Sequence, residues 1–151
     1  MYLIDLTVAV RPLEPNSMTA TICCTESEIT ELVHEFYRRV RLDPQLGPIF
    51  DAHIDDWDKH LVKLVDFWSS ILRRTARFYG APMPKHAALP GLTAELFQHW
   101  LALFRQTASE QPNRMMAAQA CLAAERIAQS LWMGYQISQH PDAVPSPLAR
   151  N

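Results

Sequence analysis

The sequence predicts an all-α protein. Prolines divide the chain into four long spans that contain none, and in each span the apolar residues recur every three or four positions, as on one face of a helix. The proline-free spans are residues 16–43, 49–81, 91–111 and 113–140. With 151 residues, the chain is most simply one domain, large enough to bury an ordinary hydrophobic core.

The first helix is predicted to begin near Thr25, because Glu28 follows three residues later and the two form a capping-box pattern. Ser27 is an equally plausible cap. The apolar stripe of this helix is Ile29, Val33, Phe36 and Val40. The Asp43-Pro44 pair ends it, since proline restricts the residue before it to extended conformations. The turn that follows directs Phe50 inward.

Three further helices complete the prediction. The second begins at Asp55 or Asp56, and the third is capped by Thr93. The fourth covers roughly residues 113–139. A short connector rich in proline, residues 82–91, lies between the second and third helices. It is too short for a main packing helix, yet a plain helix bundle would not need it, so we expect it to hold a side chain toward its neighbours.

Composition excludes several classes of protein. The formal net charge of −2 provides no basic surface for nucleic acid and no polybasic patch for a membrane. The apolar runs are interrupted by charges, so no transmembrane helix is expected. The apolar start of the chain has no basic residue before it, which is not typical of a secretory signal. These features predict a cytoplasmic protein.

We expect the domain to occupy residues 25–140. Residues 1–24 are predicted to be a disordered N-terminal extension, of which residues 1–17 are either dispensable or a misassigned start, and residues 141–151 a flexible tail with three prolines. Cys23 and Cys24 are adjacent, and Cys121 is remote, so the cysteines form neither a disulfide framework nor a Cys-x-x-Cys motif. We interpret them as ordinary thiols.

Three polar side chains occupy helical faces that are otherwise apolar: Tyr37, His60 and Trp100. Burying each polar group without a partner would cost about 1–3 kcal/mol. A polar ligand in a hydrophobic pocket would satisfy them, although an aromatic core is the simpler interpretation of the surrounding residues. The chain contains no nucleophile elbow, phosphate loop, dinucleotide fingerprint or His-Glu-x-x-His motif.

The chain resembles the third group of truncated haemoglobins in four motifs that occur in the family's order and spacing. These are FYRRVRLDPQLGPIF at 36–50, WDKHLVKLVDFW at 57–68, PKHAALP at 84–90 and FQHWLALF at 97–104. The resemblance covers about residues 26–138. It implies a shortened globin fold, in which two pairs of helices form a two-over-two sandwich around haem b.

The resemblance also implies the roles of individual residues. It makes His86 the proximal ligand of the haem iron, and it places Tyr37, Trp100 and His60 on the distal side, where they contact a bound diatomic ligand. The remaining pocket residues are the apolar walls Phe36, Phe50, Leu64 and Leu89 and the propionate partners Lys63 and Lys85. The N-terminal extension and the arginine-rich stretch before Gly80 depart from the family pattern.

The function implied by the resemblance is the binding of dioxygen, carbon monoxide and nitric oxide, with redox chemistry on the bound ligand. One alternative is a dedicated nitric oxide dioxygenase or peroxidase. Because the chain carries no flavin motif, such an enzyme would need a separate reductase. A second alternative is a helical interaction module that contains no haem.

Overall fold

The computed structural model describes residues 23–74 and 91–149, and this part of the chain is helical without strands. The helices are α1 (Glu26–Leu42), α2 (Gly47–His53), α3 (Trp57–Leu72), α4 (Ala94–Ser109) and α5 (Arg114–Gln139). The all-α prediction is confirmed, and the short α2 lies at the predicted corner. Within the described ranges, no helix is both long and apolar enough to cross a membrane.

Side-chain caps determine where four of these helices begin. The caps are Thr25, Asp56, Thr93 and Asn113, and each accepts a hydrogen bond from the backbone N–H three residues later. At α1 the capping box is complete, because the Thr25 N–H also donates to Glu28 Oε1 at 2.9 Å. The predicted boundaries at these four positions are confirmed, and Ser27 is not the cap.

The helices pack as two pairs. α1 lies against α3, and α4 lies against α5, while α1 and α4 hold the two pairs together. Aromatic rings fill the interface: Phe104 stacks on Trp68 with ring centroids 5.0 Å apart and on Trp100 at 5.7 Å. Phe36 meets Phe104 edge-on at 5.0 Å. This arrangement is the two-over-two sandwich that the sequence predicts.

Asp43 organises the corner between α1 and α2. Its Oδ1 accepts hydrogen bonds from the backbone N–H groups of Gln45 and Leu46, both at 2.9 Å. Its Oδ2 lies 2.7 Å from Nε2 of His99 on α4. One carboxylate therefore shapes the turn that begins α2 and ties that turn to α4.

Residues on both sides of the predicted domain boundaries contact the helices. Cys23 and Cys24 are buried, with their Sγ atoms 3.4 Å apart. The Asn113 side chain donates to the Cys23 carbonyl oxygen at 2.8 Å. At the other end of the domain, Leu148 is buried although it belongs to the segment that was predicted to be a flexible tail.

Candidate functional site

Three buried polar atoms have no hydrogen-bond partner among the described residues: Tyr37 Oη on α1, His60 Nε2 on α3 and Trp100 Nε1 on α4. Their residues are only 1%, 8% and 7% exposed. A fourth such atom, Nε of Arg73, belongs to a guanidinium whose Nη1 pairs with Glu26. Since buried polar groups nearly always find a partner, three orphans on three neighbouring helices indicate a place for a polar ligand.

Phe36 contacts two of these side chains. Its ring meets Tyr37 edge-on with centroids 4.8 Å apart, and it meets Trp100 edge-on at 5.5 Å. Phe36 is fully buried, so this contact positions the phenol and the indole on a rigid support. The helix period explains this arrangement, because it places Phe36 in the apolar stripe of α1 and Tyr37 beside that stripe.

A second aromatic group joins His60 to the site. The rings of Tyr37, Phe50 and Trp57 lie 6.3–6.4 Å from one another by centroid. His60 contacts Trp57 edge-on at 5.9 Å. Trp57 is therefore the common neighbour through which α1, α2 and α3 meet at the site.

Burial sets the protonation of these side chains. It raises the pKa of Tyr37 well above its usual value, and the Trp100 side chain acts in the opposite direction although the two form no hydrogen bond. Burial lowers the pKa of His60 to about 4, with a smaller contribution from the nearby Lys63 ammonium. At neutral pH the site therefore holds a neutral phenol and a neutral imidazole, each with a proton to donate.

An apolar cavity of about 20 Å³ lies beside Trp100. Its walls are Leu46, Phe50, Leu92, Leu96, Phe97, Trp100, Ala128 and Leu131. That volume is about the space of one water molecule. A porphyrin is far larger, so the described residues form one apolar wall of such a site rather than the whole of it.

The aromatic residues of this wall, Phe50, Phe97 and Trp100, could be expected from the sequence to line an apolar cavity, whereas the other five residues were missed. For Leu92 a signal was available, because it stands immediately before the Thr93 cap and Phe97 stands four positions into α4. Apolar residues at those two positions are typical of a hydrophobic staple, which pins the chain entering a helix. Leu46 and Leu96 carried no comparable signal.

The predicted site residues are only partly within the described ranges. Phe36, Phe50 and Leu64 are buried as expected, and only Phe50 of these lines the cavity. Lys63 is exposed on α3. His86, Lys85 and Leu89 lie outside the described residues, so their assignments stay predictions.

An open groove of about 490 Å³ reaches Tyr37 from the outer side of α1. Its lining includes Arg41, whose guanidinium lies over the Trp57 ring at 4.7 Å, and Asp51, which accepts from the Trp57 indole at 3.1 Å. The phenol thus lies between this groove and the aromatic interior.

The described residues suit a haem. The two pairs of helices form an apolar wall, and three of the helices each carry a buried polar group without a partner among the described residues, one of which, Trp100, lines that wall. An all-helical sandwich with this kind of site defines a globin-type protein.

The comparisons with known proteins agree. Residues 21–128 match the bacterial-like globin family, and the chain belongs to that family. The chain is 34% identical over 107 residues to a group 3 truncated hemoglobin from Campylobacter jejuni, which covers 68% of this chain and 84% of that protein. The crystal structure of a group III truncated hemoglobin from the same organism matches with a TM-score of 0.66 and 32% identity, covering 72% of this chain and 88% of that one. Membership of this family supports haem-based ligand binding in general.

Proposed function

We propose that this protein binds haem b through His86 and holds dioxygen, carbon monoxide or nitric oxide beside Tyr37, Trp100 and His60. The observation that carries the proposal is the set of three buried polar atoms that have no partner in the described part of the chain. A small ligand with hydrogen-bond acceptors would satisfy donors that the described residues leave unpaired. Haem would supply an iron atom with one open coordination position and the capacity for one-electron chemistry.

The distal side chains would act as hydrogen-bond donors. Because burial keeps the pKa of Tyr37 well above its usual value, its hydroxyl retains its proton at neutral pH. The indole N–H of Trp100 always carries its proton. A hydrogen bond to a ligand with partial negative charge contributes about 1.5–3 kcal/mol, which slows ligand release roughly tenfold to a hundredfold.

His60 would have a conditional role. Its imidazole is neutral at pH 7 because its pKa is lowered to about 4, so only one of its two ring nitrogens carries a proton. Depending on which nitrogen that is, His60 either donates to the ligand or accepts from a neighbour. Its edge contact with Trp57 links the ring to Phe50, which stacks on Trp57 and lines the cavity.

The apolar walls would exclude water. Phe50 is fully buried and lines the cavity, and Leu64 is 1% exposed. Because the local dielectric constant is low where water is excluded, each hydrogen bond from the distal donors is stronger there. The exposed Lys63, together with Lys85, is suited to pairing with carboxylate groups at the edge of a macrocycle.

Absorption spectroscopy tests the proposal most directly. Purified protein, reconstituted with hemin if necessary, should show a Soret band that shifts when carbon monoxide is added to the reduced form. His86→Ala should lose stoichiometric haem, whereas His34→Ala, which changes an exposed histidine of α1, should retain it. Normal haem retention by His86→Ala would refute the ligand assignment, and a wild-type chain that takes up no hemin would favour the haem-free interaction module.

The distal assignments need a kinetic test. Tyr37→Phe should release dioxygen roughly tenfold to a hundredfold faster without losing haem, because one donor to the ligand is removed. Trp100→Phe tests the indole in the same way. Unchanged release in Tyr37→Phe would assign the stabilisation to Trp100 or His60.

A second candidate is a nitric oxide dioxygenase or peroxidase in the cytoplasm, served by a separate reductase. The convergence of several donors favours it, since slow release suits reaction on the ligand better than transport. Steady consumption of nitric oxide with NADH and a reductase would support this function. Reversible binding without turnover would support a carrier, scavenger or sensor.

A further inference from the structure

The segment at residues 146–149 is held by two glutamines of α5. The Ser146 N–H donates to Gln136 Oε1 at 3.0 Å, and Gln136 Nε2 donates back to the Ser146 carbonyl at 2.7 Å. Gln129 makes the same pair of bonds with Leu148, at 2.8 and 3.0 Å. Each side-chain amide therefore pairs with both backbone groups of one residue, as a neighbouring strand would.

The spacing of the partners explains this arrangement. Gln129 and Gln136 are seven positions apart, so they lie on one face of α5, two turns from each other. Ser146 and Leu148 are alternate residues of an extended segment, so their backbone groups point the same way. Prolines precede both of them, and proline has no N–H to leave unpaired. Proline also restricts the free chain, which lowers the entropy lost on docking.

The same segment reaches α4. Gln98 Nε2 donates to the Ala149 carbonyl at 3.2 Å. Leu148 is only 4% exposed, whereas Val144, four residues earlier, is 91% exposed. Within residues 146–149 only Leu148, which Gln129 holds, is buried. The segment bridges α4 and α5. We call this segment the C-terminal clasp.

The residues that hold the clasp are next in sequence to residues that line the apolar cavity. Gln98 directly follows Phe97, and Gln129 directly follows Ala128; both Phe97 and Ala128 line that cavity. A shift of α4 relative to α5 that changed the cavity would therefore also change the distance between Gln98 and Gln129, which the clasp joins. The family match ends at residue 128, one position before Gln129, so the clasp lies beyond the matched range.

We propose that docking of the C-terminal clasp is coupled to occupation of the haem site of which the cavity lining forms one wall, so that the docked clasp slows the escape of the prosthetic group. This inference rests on the haem binding proposed above. Coupling between two sites is reciprocal, so an occupied haem site also strengthens docking of the clasp. The clasp acts by holding α5 against α4, and it contributes no group to the cavity itself.

The test uses the full chain loaded with hemin. The double variant Gln129→Ala, Gln136→Ala removes four hydrogen bonds from the clasp and leaves the cavity lining unchanged. The rate of hemin transfer to an excess of a haem-free acceptor globin should rise about tenfold. Gln119→Ala is the matched control, since Gln119 is an exposed glutamine of the same helix. It should transfer hemin at the wild-type rate.

Amide hydrogen exchange supplies the second measurement. In the wild-type protein, the Ser146 and Leu148 amides should exchange more slowly with hemin bound than without it, and in the double variant they should exchange fast in both states. If the double variant does not fold, Leu148→Ser replaces it as a milder change. If hemin binds the wild-type chain but leaves it as fast as it leaves the double variant, the proposed role of the clasp is wrong while the proposed haem binding stands. A wild-type chain that takes up no hemin would overturn the proposed function.

Discussion

The carbonyl oxygen of Arg41 lies 2.6 Å from the point that a β-carbon on Gly47 would occupy. Real β-carbons essentially never approach backbone atoms so closely, and a backbone carbonyl cannot turn aside as a flexible side chain can. The first residue of α2 must therefore be glycine for the corner to pack against the end of α1. That corner carries Phe50 into the site.

Gly47→Ala should consequently destabilise the protein by about 1–3 kcal/mol, the usual cost of overpacking a tight contact. Urea unfolding should show a lower midpoint with an unchanged slope. Ala52→Ser, an exposed change in the same short helix, should move the midpoint much less. A Gly47→Ala midpoint equal to that of the wild type would mean that the corner relaxes at no cost.

Tyr37→Phe should stabilise the haem-free protein. The Tyr37 hydroxyl is buried without a hydrogen-bond partner among the described residues, and such a group costs about 1–3 kcal/mol. Phenylalanine keeps the ring contacts with Phe36 and Phe50 and removes only the hydroxyl. The thermal midpoint of the haem-free variant should rise, while its hold on dioxygen weakens. A lower midpoint would show that the hydroxyl already has a partner outside the described residues.

His60 should make the free energy of unfolding depend on pH. Its pKa falls from 6.5 in the unfolded chain to about 4 in the folded one, because burial disfavours the charged ring. Between those values the unfolded state binds more protons, so stability is complete above pH 6.5 and is lost as pH falls toward 4. The loss should be at most about 1.4 kcal/mol per pH unit from this group.

His60→Gln should flatten that part of the stability profile, measured by urea unfolding of the haem-free protein from pH 4 to 7. His53→Gln is a useful comparison, because burial also lowers the pKa of His53, although that side chain is only half-buried and lies outside the cluster. If both variants kept the wild-type dependence of the free energy of unfolding on pH, neither His60 nor His53 would be the source of that dependence.

Asp43 should stabilise the corner through both of its oxygens. Burial alone would raise its pKa, but hydrogen bonds from Leu46, His99 and Gln45 outweigh that effect and lower it. Its contribution is therefore present above pH 3.8 and is lost as the pH falls further, below the range in which His60 titrates. Asp43→Ala should cost about 1–2 kcal/mol at pH 7, as the loss of a cap does.

Asp43→Asn separates the two contributions, since an amide oxygen can still accept from Gln45 and Leu46 while the charge opposite His99 is removed. It should cost less than Asp43→Ala in the same urea unfolding experiment. His99→Leu should cost no more than about 1 kcal/mol, because the imidazole is 37% exposed. If His99→Leu lowered the free energy of unfolding as much as Asp43→Ala does, the stabilisation would come from the Asp43–His99 contact with α4 rather than from the turn.

The helices could be predicted because their signals are local. Thr25 and Glu28 are three residues apart, and Thr93 directly precedes its helix, so each boundary depends on neighbours that the sequence displays side by side. The apolar faces were predictable for the same reason. The site was predictable in part: Tyr37, His60 and Trp100 could be recognised as polar groups on apolar faces, and they are buried without partners among the described residues. Their roles toward haem stay predictions.

What the sequence did not indicate depends on contacts between remote residues. The clasp pairs Gln129 with Leu148 and Gln136 with Ser146, and a glutamine beside the apolar face of a helix carries no pattern that shows whether it bonds to protein or to solvent. Prolines in a tail indicate stiffness, and stiffness is compatible with either a docked or a free segment.

The hydrogen bond from Asn113 to the Cys23 carbonyl joins residues 90 positions apart. The same side chain caps α5 by accepting from the Met116 N–H at 3.0 Å. On the ribosome, residue 23 leaves the exit tunnel long before residue 113 is synthesised. The start of α1 must therefore wait for α5 before its own contacts are complete, and among the described residues a segment made early is one of the last to be secured.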